Sequence, residues 1–314
     1  MSEIRDHQMP PTPAPLATPA AARLRQGLAD ALAGLGSGAW PLQLGPAGDL
    51  GERGPGHFHL VPELFLQLAG HTRFRFPRGG LTLAPGQALL LPPRLLHDEQ
   101  VRAGDAGEAF ANLVLQADGP QLGCHLAHET TPGRPGIAHL ELRTDAPAGA
   151  VQGWLAAAAP PGPACDGPWA AAQARSLVCA ALAAALRLLN ARPATGPAEP
   201  ALVARLRVLV QNQLGDPQLG VRSLAAQSGC TPDHLSHVFR RCTGGQLVAF
   251  ITGQRMARAA RLLRDTTMPG KQVAWACGFA NHSYFSAEFR RHHGCTPRAW
   301  RAGASGSAIG GRTK

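Results

Sequence analysis

The segment Phe-Arg-Arg-x-x-Gly occurs twice in this chain, at residues 239 to 244 and again at 289 to 294. Each copy closes a longer shared pattern. In the first, Ala225 lies four residues before Gly229, Leu235 follows six after it, and Val238 and Phe239 come next. The second repeats Ala274 and Gly278 at a displacement of 49, then Phe285, Phe289 and Gly294 at a displacement of 50, so its turn is one residue longer. The alanine lets two helices approach closely, the glycine supplies the backbone of a tight turn, and the apolar residues fix the second helix onto the first. A chain built this way is expected to contain two helix-turn-helix units.

Helix geometry sorts the residues of each copy. At 100° per residue, Leu235, Val238, Phe239 and Cys242 form one apolar stripe, while Asp233, His237 and Arg240 lie opposite, flanked by Ser236 and Arg241. In the second copy the outward stripe is Ser283, Ala287 and Arg290, flanked by Ser286 and Arg291, with His282 at the helix entry. The entry of a recognition helix is where base edges are reached; the arginine pairs one turn later suit phosphates, which need charge but no sequence code. The charge distribution agrees. Residues 201–302 carry fourteen Lys/Arg against four Asp/Glu, whereas residues 1–200 carry fourteen basic and sixteen acidic residues. The net charge of +10 therefore sits in the C-terminal third, as expected of a region that meets a polyanion. Residues 245–266 read as a connecting helix of about twenty residues, about 30 Å long, close to one turn of B-DNA at about 34 Å.

Upstream the patterning changes. Residues 21–35 place Leu24, Leu28, Leu32 and Leu35 at helical spacing. From about Trp40 to Thr144 short segments (LFLQLAG, HTRFRF, GLTLAPGQALLLPP, AFANLVLQA, HLELRT) are divided by Gly, Pro and Asp turns, which predicts an antiparallel barrel or sandwich. In TRFRF, Thr72, Phe74 and Phe76 share one face and Arg73 and Arg75 the other. A short helix around Trp154 and a long Ala/Leu helix at 169–190 follow. The fold expected is multidomain α+β: a leader at 1–20, a β-barrel sensor at 21–150, a linker and helix at 151–199, an all-α domain at 200–302, and a tail at 303–314. Leader and tail are expected to be disordered.

Residues 200–302 resemble the AraC/XylS family of bacterial transcription regulators. The resemblance is carried by LAAQSGCTPDHLSHVFRRCTG, QRMARAARLLRDT and VAWACGFANHSYFSAEFRRHHGCTPRAWR, and above all by the closing G-C-T-P-x-x-W-R. It implies base-reading positions at Asp233, Ser236 and His237 in the first unit, and at His282, Ser283, Ser286 and Ala287 in the second. Arg240, Arg241, Arg290 and Arg291 are the phosphate candidates. Ala287 stands where the family often has Arg, and Glu288 takes the place of Val238, where it needs a partner or a route to solvent.

The N-terminal region resembles the arabinose-binding cupin domain that regulators of this family often carry. Gly51, His57-x-His59, Glu63 and Gly70 match the first cupin motif; Gly86, Pro92 and His97 match the second, with Arg94 in place of the usual Gly and Val101 in place of Asn. His57, His59, Glu63 and His97 could converge inside a barrel, either lining a polar effector pocket or holding a divalent metal. No cofactor is required by this reading. The helix at 169–190 is either buried core or, as the resemblance implies, a dimer contact.

Seven scattered cysteines without a C-x-x-C pair fit a reducing cytoplasm. The N-terminus lacks the apolar core of a signal peptide, and the Ala/Leu run is broken by Arg175 and Arg187, so no membrane is expected. The function expected is a sequence-specific regulator of promoter DNA, not an enzyme, controlled by a small-molecule effector. RNA polymerase and a second copy of the chain are further partners the family would supply. The rival is a cupin-type metalloenzyme tethered to DNA by its basic domain. It has a metal tetrad in its favour and no further acid, base or nucleophile constellation.

Overall fold

A computed structural model describes residues 18–47, 56–159, 167–191 and 200–309. Gly51 and most of the expected leader lie outside these residues. The element order is α1 (Pro19–Ser37), β1 (Leu42–Leu44), β2 (Glu63–Ala69), β3 (His71–Phe76), β4 (Gly79–Leu83), β5 (Gln87–Leu91), β6 (Asp98–Arg102), β7 (Ala111–Asp118), β8 (Gln121–Thr131) and β9 (Arg134–Thr144). Helices follow: α2 (Ala148–Ala158), α3 (Pro168–Asn190), α4 (Ala201–Gln213), α5 (Val221–Ser228), α6 (Pro232–Thr243), α7 (Leu247–Asp265), α8 (Gly270–Ala276), α9 (His282–His293) and α10 (Pro297–Ile309). The last helix continues beyond residue 302, where the sequence pattern predicted a tail.

The β-rich region is two facing sheets, not one closed ladder. One has the order β1-β5-β2-β7-β8-β9 and the other β4-β3-β6; β1 pairs with β5 in parallel and the remaining pairs are antiparallel. Strand β2 explains the layering through its period of two. Leu64 and Leu66 join the core formed with α1, α2 and α3, while Phe65 packs against Phe74 of the second sheet at 4.9 Å between ring centroids. Gln67 shares the Phe65 face and accepts a hydrogen bond from Thr72 at 2.8 Å. Both faces of β2 are therefore buried, which is why it reads as a nearly continuous apolar run. The alternation expected in β3 is present, with Thr72 and Phe74 buried and Arg73 and Arg75 exposed.

Helix α3 buries Val178, Ala181, Leu182, Ala185, Leu188 and Leu189 in the same core as α1 and the large sheet. Its 23 residues are long and apolar enough to cross a membrane by length and composition. Its packing against α1 and the large sheet accounts for its apolar face.

Arg94 has φ of 69°, and among the described residues it is the one non-glycine with positive φ. Its N–H donates to the carbonyl of His59 at 2.7 Å, so the turn is held in place by the residues it serves. The left-handed conformation costs a side-chain-bearing residue about 1–2 kcal/mol. Arg94→Gly is accordingly expected to raise unfolding stability by about 1 kcal/mol, after allowing for the greater backbone entropy of glycine. Urea unfolding of the two proteins measures this.

Candidate functional sites

The two C-terminal units share their caps, stops and buried positions. Thr231 caps α6, its side chain accepting from the N–H of His234 at 3.3 Å, and Asn281 caps α9, accepting from the N–H of Tyr284 at 2.9 Å. Both helices stop at a left-handed glycine with the same backbone, φ 75° and ψ −10°, at Gly244 and Gly294. Each helix buries two side chains one turn apart, Leu235 and Phe239 or Phe285 and Phe289. Ala225 and Ala274 are buried where the helices of each pair meet. Gly278, at φ 74°, leaves no room for a side chain: a Cβ there would lie 2.6 Å from the carbonyl oxygen of Leu214. The connector α7 has 19 residues, about 28 Å of helix. Trp300, from the closing signature, donates to the carbonyl of Ala260 at 3.2 Å and packs on Phe289, which fastens α10 to α7.

Asp233, His237, His282, Ser283 and Ala287 are exposed, while Ser236 and Ser286 are half-buried. Ser236 donates to the carbonyl of Pro232 at 2.8 Å. Arg240, Arg241 and Arg290 are exposed and, among the described residues, make no ion pair. One apolar assignment is corrected. Cys242 is exposed, because a twelve-residue helix on so small a core is covered for two turns only.

Arg291 differs from its three counterparts. Glu288 takes both its Nε, at 3.1 Å, and its Nη2, and also faces His292 at 3.4 Å. The pairing with Arg291 holds the Glu288 carboxyl below its usual range. This answers the partner question raised by a carboxylate in the position of Val238, and it means that Arg291 must leave Glu288 to meet a phosphate. Glu288→Gln is expected to strengthen DNA binding by a small factor, a fewfold at most, at low salt, because an exposed pair of this kind competes only weakly. A gel-shift titration tests it; unchanged or weaker binding would contradict the competition.

The second site lies between the sheets. His57 and His97 form an isolated antiparallel bridge, each N–H donating to the other's carbonyl at 2.9 Å. Gly56 permits it, since a Cβ there would fall 2.1 Å from the His97 carbonyl oxygen. The bridge, together with the inward register of Glu63 on β2, brings His57, His59, Glu63 and His97 together, with one ligand atom from each lying within 4.8 Å of all the others. The Nε2 atoms of all three histidines and Oε2 of Glu63 are buried without a hydrogen-bond partner. Two of the second atoms are held: Gln116 donates to Glu63 Oε1, and His97 Nδ1 faces the Leu95 carbonyl at 3.0 Å. Burial holds His59 down to about 4 and His57 well below its ordinary value, so both are neutral with free lone pairs. Burial alone would raise Glu63, but the neighbouring His59 and His97 outweigh it and hold the carboxyl down to about 2. His59 Nε2 and His97 Nε2 each lie 3.5 Å from Glu63 Oε2, an ion-pair contact without a hydrogen bond. Four convergent donors, two of them (Glu63 and His97) with the second atom held, make a set that fits a divalent cation. Sequence reading missed three further polar groups on the inner strand faces. Glu99, pushed by burial to about 7, follows His97 on β6; Gln116 lies on β7; His125, held by burial down to about 4, lies on β8.

The fold and both sites define a protein with a paired helix-turn-helix domain joined to a β-domain that encloses a histidine-rich centre. Residues 224–303 match the family described as "Helix-turn-helix domain". The arabinose operon regulatory protein of Escherichia coli (strain K12) is 33% identical over 94 residues, covering 30% of this chain and 32% of that protein. The HTH-type transcriptional activator RhaR of Cronobacter sakazakii is 31% identical over 122 residues, covering 38% of this chain and 43% of that protein. Among solved structures, the DNA-binding domain of AdpA, a global transcriptional factor in complex with a target DNA, is 28% identical, with a TM-score of 0.33, covering 35% of this chain and 97% of that one. The C-terminal region thus matches a helix-turn-helix domain and is similar in sequence to segments of these regulators. The matched segments span about a third to less than half of these two regulators, and leave the β-domain to be read from its own geometry.

Proposed function

We propose that this protein is a cytoplasmic, sequence-specific DNA-binding transcription regulator whose β-domain senses a ligand at His57, His59, Glu63 and His97. The observation that carries the DNA-binding half is the matched pair of capped helices, each presenting an exposed face to solvent and an arginine pair one turn along. Asp233, Ser236 and His237 read bases from the first helix; His282, Ser283, Ser286 and Ala287 do so from the second. Arg240, Arg241, Arg290 and Arg291 contact phosphates.

For the sensing half, four convergent donors whose inward atoms make no hydrogen bond favour a divalent cation over a polar organic effector. The bound ion would supply charge and fix the bridged strands, while Gln116 and the Leu95 carbonyl orient its ligands. An organic effector would share this interior, which Glu99 and His125 also face. Promoter duplex is the partner that follows, with RNA polymerase and a second copy of the chain as the partners a regulator of this type would recruit.

Selection of bound duplexes from a randomised pool tests the reading. His237→Ala or Asp233→Ala should alter base preference in one half of the recovered site. Ala287→Gly should alter the other half less, because a methyl group offers at most contact with a thymine methyl. Equal effects in the two halves, or no enriched sequence, would contradict it.

A further inference from the structure

The peptide segments that carry the histidines have a second face, and it does not belong to the β-domain. Phe58 lies between His57 and His59, and Leu96 precedes His97. Both side chains are buried in the core of the second helix-turn-helix unit, with Met256, Ala259, Leu262 and Leu263 of α7 and Phe285 and Phe289 of α9; Leu60 packs against the same group. Alternation along these two bridged segments thus aims imidazoles at the centre and apolar side chains at the DNA-binding domain.

Arg258 of α7 closes this contact. It is 6% exposed. Its guanidinium carbon sits 3.8 Å from the centroid of the Phe58 ring, and its Nη2 donates to the Phe58 carbonyl. That carbonyl belongs to the peptide unit joining Phe58 to His59. Among the described residues no carboxylate lies within ion-pair distance of Arg258, and its Nε is buried without a partner. A guanidinium held by one carbonyl and one aromatic face, with no counter-charge, is expensive to keep buried. Its neighbour along the helix, Arg261, reaches Asp118 of β7 at 2.6 Å in the conventional way.

We infer that Arg258 is a charge-operated latch between the sensing centre and the DNA-binding domain, and that a divalent cation in the centre weakens it. The inference rests on the cation reading above. Glu63 is the one carboxylate among the four donors, with Glu99 3.9 Å from His97 beyond them, so a dication makes the filled centre more positive than the empty one, next to the peptide unit that holds Arg258. The repulsion loosens α7, and α7 is the helix that sets the position of one reading head relative to the other. Linkage makes the effect reciprocal: if the ion loosens the latch, the latch must weaken ion binding.

The test compares Zn2+ affinity, by chelator competition, in the full chain and in its Arg258→Met and Arg258→Lys variants. Methionine keeps apolar length without charge and lysine keeps the charge, so the two separate electrostatics from packing. Removing one unit charge within about 20 Å of a dication, at an effective dielectric of about 20, is worth at least about tenfold in affinity. Arg258→Met should therefore bind Zn2+ at least about tenfold more tightly, and Arg258→Lys should stay near the parent. Hydrogen exchange in α7 should quicken on Zn2+ loading of the parent protein and not of Arg258→Met. Stoichiometric Zn2+ with equal affinity in parent and Arg258→Met would overturn the latch and leave the cation site standing. Failure of every form to bind Zn2+ would overturn the site itself, and the latch with it. Should Arg258→Met unfold, Arg258→Gln takes its place, with the same tightening expected.

Discussion

Raising salt from 50 to 200 mM is expected to weaken binding to the selected duplex about a hundredfold. Each arginine on a phosphate displaces condensed counterion, and four such contacts give a slope of log affinity against log salt near −3.6. Arg240→Ala, Arg241→Ala and Arg290→Ala should each weaken all sequences alike and reduce that slope by about one. Arg291→Ala should change it less, because in the free protein this side chain is already neutralised by Glu288. Slopes unchanged in all four variants would remove the arginines from the phosphate backbone.

The second large effect is expected at the centre. Protein purified without an affinity tag should hold close to one divalent ion per chain, and the His57→Ala/His97→Ala double variant should hold none. Two ligands cannot replace four for an ion that requires several donors at about 2 Å. Elemental analysis reads this directly, and circular dichroism establishes that the variant is folded. Background metal in the parent would return the four residues to the role of lining an organic effector pocket. Those same substitutions would then spare basal DNA binding and abolish the response to effector.

What the sequence made legible follows the physics of each region. The paired reading units were visible because a helix-turn-helix has local determinants: a small residue, a glycine and apolar residues at fixed offsets, here present twice. Strand β3 was visible because one face is wet, so Thr72 and Phe74 alternate with arginines. Strands β6 and β8 were not. The first reads DEQVR, with Asp98 taken outward by Arg75 and Arg134 and Glu99 turned inward, so neither face is simply apolar. The second interleaves Leu122, Cys124 and Leu126 with Gly123 and His125, which hides its alternation.

The four centre residues were named from spacing, yet the feature that favours a cation, four convergent donor atoms without a hydrogen bond, appears only in the structure, where Gln116 and the Leu95 carbonyl occupy the second atoms of Glu63 and His97. Arg258 was illegible for a different reason. In QRMARAARLLRDT it is one arginine of four at helical spacing, and a solvated helix face would look the same. Only the tertiary contact with Phe58 distinguishes it.

The central claim is that two reading heads, held by α7, enter successive major grooves on one face of DNA. Hydroxyl-radical footprinting on the selected duplex tests it most directly. The expected result is two protected patches centred about 10–11 base pairs apart on the same face, with Phe289→Ala removing one and sparing the other. A single protected patch, or two patches that disappear together, would contradict it.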